Sequence, residues 1–469
     1  MKKTLLSLIT ISIIYGVSFS QTTFSTKKTI DPTTNNTPYV IDSGLIDNDA
    51  FKDIVIGTES GNEIQWYKNN GDGTFTEQTL ISSTLSYVYA LKIGDVNGDN
   101  FNDVVVTTYS GGKVVWFQND GLGNFSSEKL IANMNSPVGV AIADLDNNTT
   151  KDVIALAYNT GQTIWFSNDG AGNFAAAQVL ATATASYPGS IDVADFDNDN
   201  DLDFVIANAG AAGNVEVYYN NLIPNGTTTF TKDANSVTTG NYYLFNTIFA
   251  DVDNDNHLDI LATDAGDGTT QGYLYWYKKE LDGTFTETNI PTSINNPSTV
   301  GFADLDDDGL KDIILGNSQG EALEPNNTDL AWFKNNGSGN FSSEMIIDIT
   351  QSQTFAFTIA DFDNDNDLDI SSVSYNQDAL NWFENFKYTL STPKVSLQDI
   401  SIYPNPTKNF LNFKGLTQSI KVSIYDLIGK EVLKETLNPE SPFDVSNLQS
   451  GVYLLKLDGY TTNFRFIKE

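Results

Sequence analysis

The chain has 469 residues, 40% of them hydrophobic and 12% aromatic, enough for packed cores in two or three domains. Lys plus Arg number 25 against 60 Asp plus Glu, a formal charge of −35, which repels nucleic acid and anionic membrane surfaces and suits divalent cations. With no cysteine and one histidine, His257, the chain excludes disulfides, cysteine-rich zinc sites, cysteine nucleophiles and most histidine-based triads.

Residues 1–20 read as a signal peptide. Lys2 and Lys3 precede an apolar run, Leu5 to Tyr15, too short to span a bilayer, and Ser18 and Ser20 lead to a cut before Gln21. No later segment has the length and apolarity of a membrane helix, so the mature chain is expected to be exported and soluble or surface-attached.

A repeat then governs the chain to about residue 388. The segment GDVNGDNFNDVVV (Gly94 to Val106) recurs as ADLDNNTTKDVIA, ADFDNDNDLDFVI, ADVDNDNHLDILA, ADLDDDGLKDIIL and ADFDNDNDLDISS. A degenerate first copy, GLIDNDAFKDIVI, has Leu45 at the leading position ahead of Asp47, Asp49 and Asp53. Copies lie 49 to 57 residues apart, room for four short strands each, so seven copies predict a propeller. Each copy has an apolar run into the loop, one out of it, and a third run with an aromatic pair such as Trp66-Tyr67 or Trp332-Phe333. Turns such as NDGLGNF (Asn119 to Phe125) lead to a fourth strand in most copies. The last copy ends at Phe386 without its fourth strand. TTFSTKKTI (Thr22 to Ile30) matches GTFTEQTLI (Gly73 to Ile81), so the N-terminal strand is expected to complete the seventh blade.

The loop pattern is D-x-[DN]-x-[DN]-x-x-x-D, in which alternate side chains converge on one point. The candidate ligands are Asp95, Asn97, Asp99 and Asp103; Asp144, Asp146, Asn148 and Asp152; Asp195, Asp197, Asp199 and Asp203; Asp251, Asp253, Asp255 and Asp259; Asp304, Asp306, Asp308 and Asp312; and Asp361, Asp363, Asp365 and Asp369. The Phe101 carbonyl is a fifth ligand in the second copy. An all-oxygen, carboxylate-rich cage selects calcium over zinc, copper or magnesium, with about six sites. The 22 carboxylates so clustered repel one another without cations, which makes the metal part of the fold's stability. The first copy is expected to bind weakly or not at all, and His257 offers its backbone rather than its ring.

These repeats, from about Thr22 to Phe386, resemble the FG-GAP/VCBS family, whose propellers include the integrin α-subunit head. The resemblance implies a calcium-binding β-propeller. It leaves the biological role open, since the family spans adhesins, lectin-like proteins and accessory domains of enzymes.

From Lys394 the chemistry changes. Residues 394–469 hold nine basic and eight acidic side chains, against 14 and 52 in residues 21–393. The polar, proline-containing stretch 389–396 reads as a linker, and short alternating runs beyond it predict a small Ig-like β-sandwich over 397–469. The segments IYPNPTKNFLNF (Ile402 to Phe413), VSIYDLIGKEV, FDVSNLQSGVYLLKL and the terminal FRFIKE resemble the type A sorting domain of the Por (type IX) secretion system of Bacteroidetes. That resemblance implies passage across the outer membrane through the type IX machinery, then removal of the tag and surface anchoring or release.

The whole reads as an all-β chain: a signal peptide, a seven-bladed propeller over 21–388, a linker and a sorting sandwich. The expected function is non-enzymatic binding or adhesion at the cell surface or in the medium, as a monomer, with a glycan or extracellular protein ligand. The loops occupy one face. The opposite face carries the insertions Ser318 to Asp329 and Ala265 to Gly272. It also carries the aromatics Tyr39, Tyr87, Tyr187, Tyr242, Tyr243 and Phe355, which either stack on a sugar or pack between blades. The alternative is a polysaccharide lyase or glycosidase, or the accessory propeller of one. That reading needs a carboxylate pair in a cleft, for which Glu321 and Glu324 are the candidates.

Overall fold

Successive residues of a strand point to opposite faces of its sheet. Both members of six of the seven aromatic pairs are nevertheless buried: Trp66 is 4% exposed and Tyr67 1%, Trp332 2% and Phe333 1%. A sheet buried on both faces is sandwiched between two others. In the seventh pair Tyr218 is buried, and the partly buried Tyr219 donates its hydroxyl to Asp233 at 2.8 Å.

The computed structural model describes residues 23–34, 37–183, 187–235, 237, 241–266, 271–318, 328–386, 401–414, 419–426, 430–438, 441–457 and 463–469. The expected signal peptide, the linker 389–396, Glu321, Glu324 and most of the insertion Ser318 to Asp329 lie outside these residues, as does the side chain of Tyr242.

The chain divides into two units, residues 1–387 and 388–469. In the first, antiparallel sheets follow one another along the sequence. Blade 1 is Pro38–Gly44, Asp53–Thr58, Ile64–Asn69 and Phe75–Glu77, and blade 2 is Val88–Gly94, Asp103–Thr108, Lys113–Phe117 and Lys129–Asn133. Blade 3 (Pro137–Ala143 to Gln178–Thr182), blade 5 (Asn241–Ala250 to Phe285–Ile290) and blade 6 (Pro297–Ala303 to Met345–Asp348) repeat the order. Blade 4 departs from four separate strands. Its second and third strands run as one element, Asp203–Asn220, which also pairs with blade 5 at Ala209–Tyr243 and Gly213–Asn241. The small residues Ala209 and Gly213 at those two bridges allow the neighbouring backbone to approach. Blade 7 takes three strands from Phe357–Ala360, Asp369–Ser374 and Ala379–Phe383, and its fourth is Lys28–Asp31, with Lys28 opposite Trp382.

The aromatic pairs bind each blade to the next. Trp66 of blade 1 shares a core with Phe117 of blade 2, Trp116 with Phe166, Trp276 with Phe333, and Trp332 with Phe383. Trp382 of blade 7 shares one with Tyr67 of blade 1. Truncating any of these tryptophans to alanine costs about 3–5 kcal/mol. The turns lock over them: Gly123 has φ +77°, and a Cβ there would lie 2.4 Å from the Trp66 ring. The first strands surround a cavity of about 210 Å³ lined by Tyr39, Leu91, Val140, Ile191, Asn246, Thr299 and Phe357, one residue from each blade.

The second unit packs a three-stranded sheet (Ser401–Tyr403, Phe410–Lys414, Phe443–Asp444) with a four-stranded one (Glu431–Leu437, Ile420–Tyr425, Gly451–Leu457, Asn463–Lys468) around a core that includes Leu411, Ile424, Leu455 and Phe466. Its YPNPT motif grips the last strand. Asn405 donates from its amide to the Arg465 carbonyl and accepts from the Ile467 amide, both at 2.9 Å, and the Thr407 backbone bonds to Ile467 and Glu469. Among the described residues the one helical turn is Leu222–Asn225, and no helix is long and apolar enough to cross a membrane.

Candidate metal centres

Each acidic loop joins the first strand of a blade to the second, and its leading Asp organises it. In blade 2, Asp95 accepts the Gly98 amide at 2.7 Å on one oxygen and the Asn100 amide at 2.8 Å on the other. Asp144, Asp195, Asp251, Asp304 and Asp361 each accept the amides four and five residues on, so all six loops share the bond to the sixth position and five of them share both bonds. Leu45 cannot do this in blade 1. The bend needs a left-handed residue at the sixth position, as the sequence predicts for Asn100, Asn200, Asn256, Gly309 and Asn366. Thr149 takes the same place at φ 75°, an unfavourable conformation for a β-branched side chain. A second left-handed residue, at the fourth position, recurs in all seven loops, from Asn48 to Asn364.

Folding this way brings carboxylates together. Ligand oxygens lie within 4.8 Å of one another in Asp195, Asp197 and Asp199; in Asp251, Asp253 and Asp255; in Asp304, Asp306 and Asp308; in Asp361, Asp363 and Asp365; and in Asp144, Asp146 and Asp152. A hard cation with ligands at about 2.4 Å spans oxygens up to about 4.8 Å apart. The third-position carboxylates also carry buried oxygens without a hydrogen-bond partner: Oδ1 of Asp253, Asp306 and Asp363. Buried polar atoms are rarely left so, and a divalent cation satisfies all three. The residues present therefore fit such an ion. In blade 2 the third position is Asn97, so the first five loop residues supply two carboxylates, Asp95 and Asp99.

The ninth-position aspartates sit apart from this cluster in every loop but that of blade 3. Asp103 is fully buried, with one oxygen on the Asn119 amide at 2.9 Å and the other on the Val96 amide at 3.1 Å. Asp53, Asp152, Asp203, Asp312 and Asp369 repeat both bonds, whereas Asp259 takes the Lys279 amide and the Trp276 indole N–H. Burial pushes the carboxyls of Asp103, Asp203 and Asp312 up to about 7 and that of Asp369 to about 8, against the downward pull of those N–H bonds.

Sequence reasoning missed a latch beneath the loops. Asn119 donates its side-chain amide to the Ile46 carbonyl in blade 1 at 2.7 Å. Asn168, Asn220, Asn335 and Asn385 reach the preceding blade in the same way, and Asn69 of blade 1 reaches the Phe362 carbonyl of blade 7 at 2.8 Å. In blade 5 the Lys279 ammonium does this work on the Phe196 carbonyl. The signal was present: an Asn two residues past the aromatic pair in five of seven copies and one residue past it, at Asn220, in blade 4.

On the opposite face, where second strands turn into third strands, rings touch in a chain. Phe245 meets Phe355, Phe355 meets Tyr39, Tyr39 meets Tyr89, and contacts continue through Tyr109 and Tyr158 to Tyr187, with centroids 4.8 to 6.2 Å apart. These rings pack between blades, and Tyr187 and Tyr243 remain 42% and 47% exposed.

Acidic loops repeated around stacked four-stranded sheets define a propeller-like chain of acidic-loop repeats. Five stretches, residues 46–106, 95–155, 149–206, 251–315 and 320–372, match the family profile described as FG-GAP-like repeat, and the chain belongs to that family. Residues 401–468 match the secretion system C-terminal sorting domain, so the chain carries the type IX export signal and is destined for the cell surface or the medium. Among solved structures, the chain is similar to an N-acetylglucosamine-recognising lectin of Agrocybe aegerita, at 18% identity over 67% of this chain and 81% of that one, TM-score 0.46. It is also similar to the BBS1N chain solved in complex with ARL6DN, at 11% identity over 79% and 98%, TM-score 0.52, a likeness of fold. No curated protein matches the chain.

Proposed function

We propose that this chain is a calcium-stabilised, exported propeller that binds a glycan or an extracellular protein and performs no catalysis. The observation that carries the reading is the division of labour between faces. Carboxylates and orphaned oxygens gather in the loops of one face, and the partly exposed Tyr187 and Tyr243 lie on the other. Calcium suits the loops because it accepts many oxygen ligands in irregular geometry, whereas magnesium demands an octahedron and retains its waters. Tyrosine suits a polar ligand because its ring offers apolar area and its hydroxyl a hydrogen bond.

A glycan and matrix-protein array, probed with calcium and again with EDTA, tests this reading. Binding that calcium supports and that Tyr187→Ala with Tyr243→Ala weakens agrees with it. Turnover of a polysaccharide would replace it with the lyase or glycosidase reading. The sorting unit is removed after export in this proposal, and mass spectrometry of the surface protein decides that point: a mature form ending at Glu469 overturns it.

A further inference from the structure

We infer that the residue just before each latch side chain sets the charge of its loop. Lys68 takes the place of the metal in blade 1, and Lys278 and Lys334 make the loops of blades 5 and 6 the weak calcium sites. This rests on the calcium reading above.

The position is occupied in turn by Lys68, Gln118, Ser167, Tyr219, Lys278, Lys334 and Glu384. Where it is a lysine, it meets the third and fifth loop residues. The Lys68 ammonium pairs with Asp47 and, at 2.7 Å, with Asp49. Lys334 pairs with Asp306 and, at 2.7 Å, with Asp308, while Lys278 pairs with Asp253 and lies 3.6 Å from Asp255. Gln118 donates to Asp99 at 3.3 Å.

In blade 1, Leu45 removes one ligand and Lys68 pairs with two others, which leaves a single net negative charge on Asp47 and Asp49 and an ammonium where a divalent ion would sit. In blades 5 and 6 four aspartates remain, and a divalent ion must displace a lysine from the same carboxylates it needs. A positive charge within a few ångströms of the ligands opposes the ion directly. Ser167, Tyr219 and Gln118 carry no charge, and Glu384 in blade 7 is itself paired with Lys28; beside the blade 4 loop, Lys279 bonds the Phe196 carbonyl and not a loop carboxylate. What separates the sites is competition: among the described residues no lysine pairs with a loop carboxylate in blades 2, 3, 4 and 7, whereas one does in blades 5 and 6. The first four are therefore the tight sites and the other two the weak ones.

Calcium titration of the metal-stripped full chain by calorimetry and equilibrium dialysis tests the assignment. Four tight ions and two bound about tenfold or more weakly are expected. Lys278→Met with Lys334→Met should merge the two classes into six tight sites. Leu45→Asp with Lys68→Gln should raise the count to seven. Near-ultraviolet circular dichroism checks that each variant is folded, and terbium luminescence excited through tryptophan counts the same classes by a second route. Six equivalent sites that the double methionine variant leaves unchanged would overturn the lysine assignment and leave the calcium reading standing. A seventh ion in the parent would overturn the role of Lys68. A chain that binds no calcium removes both.

Discussion

The propeller and the C-terminal unit solve one problem in two ways. Each uses asparagine side chains to grip a neighbouring backbone: Asn119 holds blade 1 from blade 2, and Asn405 holds the final strand of the sorting sandwich. The propeller's grip lies under a ring of carboxylates, with 52 acidic against 14 basic residues in 21–393. The sandwich has eight against nine in 394–469 and an ordinary apolar core. On the calcium reading proposed above, the contrast is between a unit whose stability is conditional on an ion and one whose stability is not.

Metal removal should separate the two most. Calorimetry of the full chain should show two transitions, with the propeller's falling by about 10 °C or more in EDTA, since each site filled at a hundredfold excess over its Kd contributes about 2.7 kcal/mol. The sandwich transition should stay where it is. A propeller transition that does not move after verified metal removal would break the comparison.

The two grips come next. Asn119→Ala leaves the buried Ile46 carbonyl without this donor and should cost about 1–3 kcal/mol in urea unfolding of the propeller. Asn405→Ala, at an exposed position, should cost about 0.5–1.5 kcal/mol and act on the sandwich alone. Equal costs would mean that burial does not separate them.

A separate effect is on pH. The carboxyls of Asp103, Asp203 and Asp312 stand near 7 in the folded, metal-free chain, above the unfolded value of about 3.9. A raised carboxyl stabilises below its unfolded pKa and loses that contribution as pH climbs through its folded pKa. In EDTA, the propeller's melting temperature should therefore fall between pH 5 and pH 8. Calcium binding near pH 6.5 should release protons, read by calorimetry in buffers of different ionisation heat. A flat profile in EDTA would show that these buried carboxyls titrate normally.

Much of this was legible because period and spacing carry it. The six leading aspartates, the aromatic pairs and the match of Thr22 to Ile30 with Gly73 to Ile81 placed loops, cores and the closing strand, and Lys28 does pair with Trp382. The sequence left less trace where backbone rather than side chain does the work. The left-handed fourth loop position is filled by Gly, Asn and Asp alike, from Gly98 to Asp307, so no single residue type announces it. The ninth-position aspartates look like the other ligands in sequence, yet burial and two N–H bonds set Asp103 or Asp312 apart. The lysines that face three loops come from a different strand, and only the fold brings Lys68, Lys278 and Lys334 to their aspartates.

The pairing of Lys28–Asp31 with Ala379–Phe383 has a consequence for biogenesis. Lys28 and Glu384 are 356 residues apart in sequence and form an ion pair across the seam. Contacts so distant form late and slowly, because their loop entropy is spent before they are rewarded. A nascent chain interrupted anywhere before Ala379 carries its first strand with no acceptor, and its blades end in an open, sticky edge. On this topology, only polypeptides extended past the third strand of blade 7 can cover that edge.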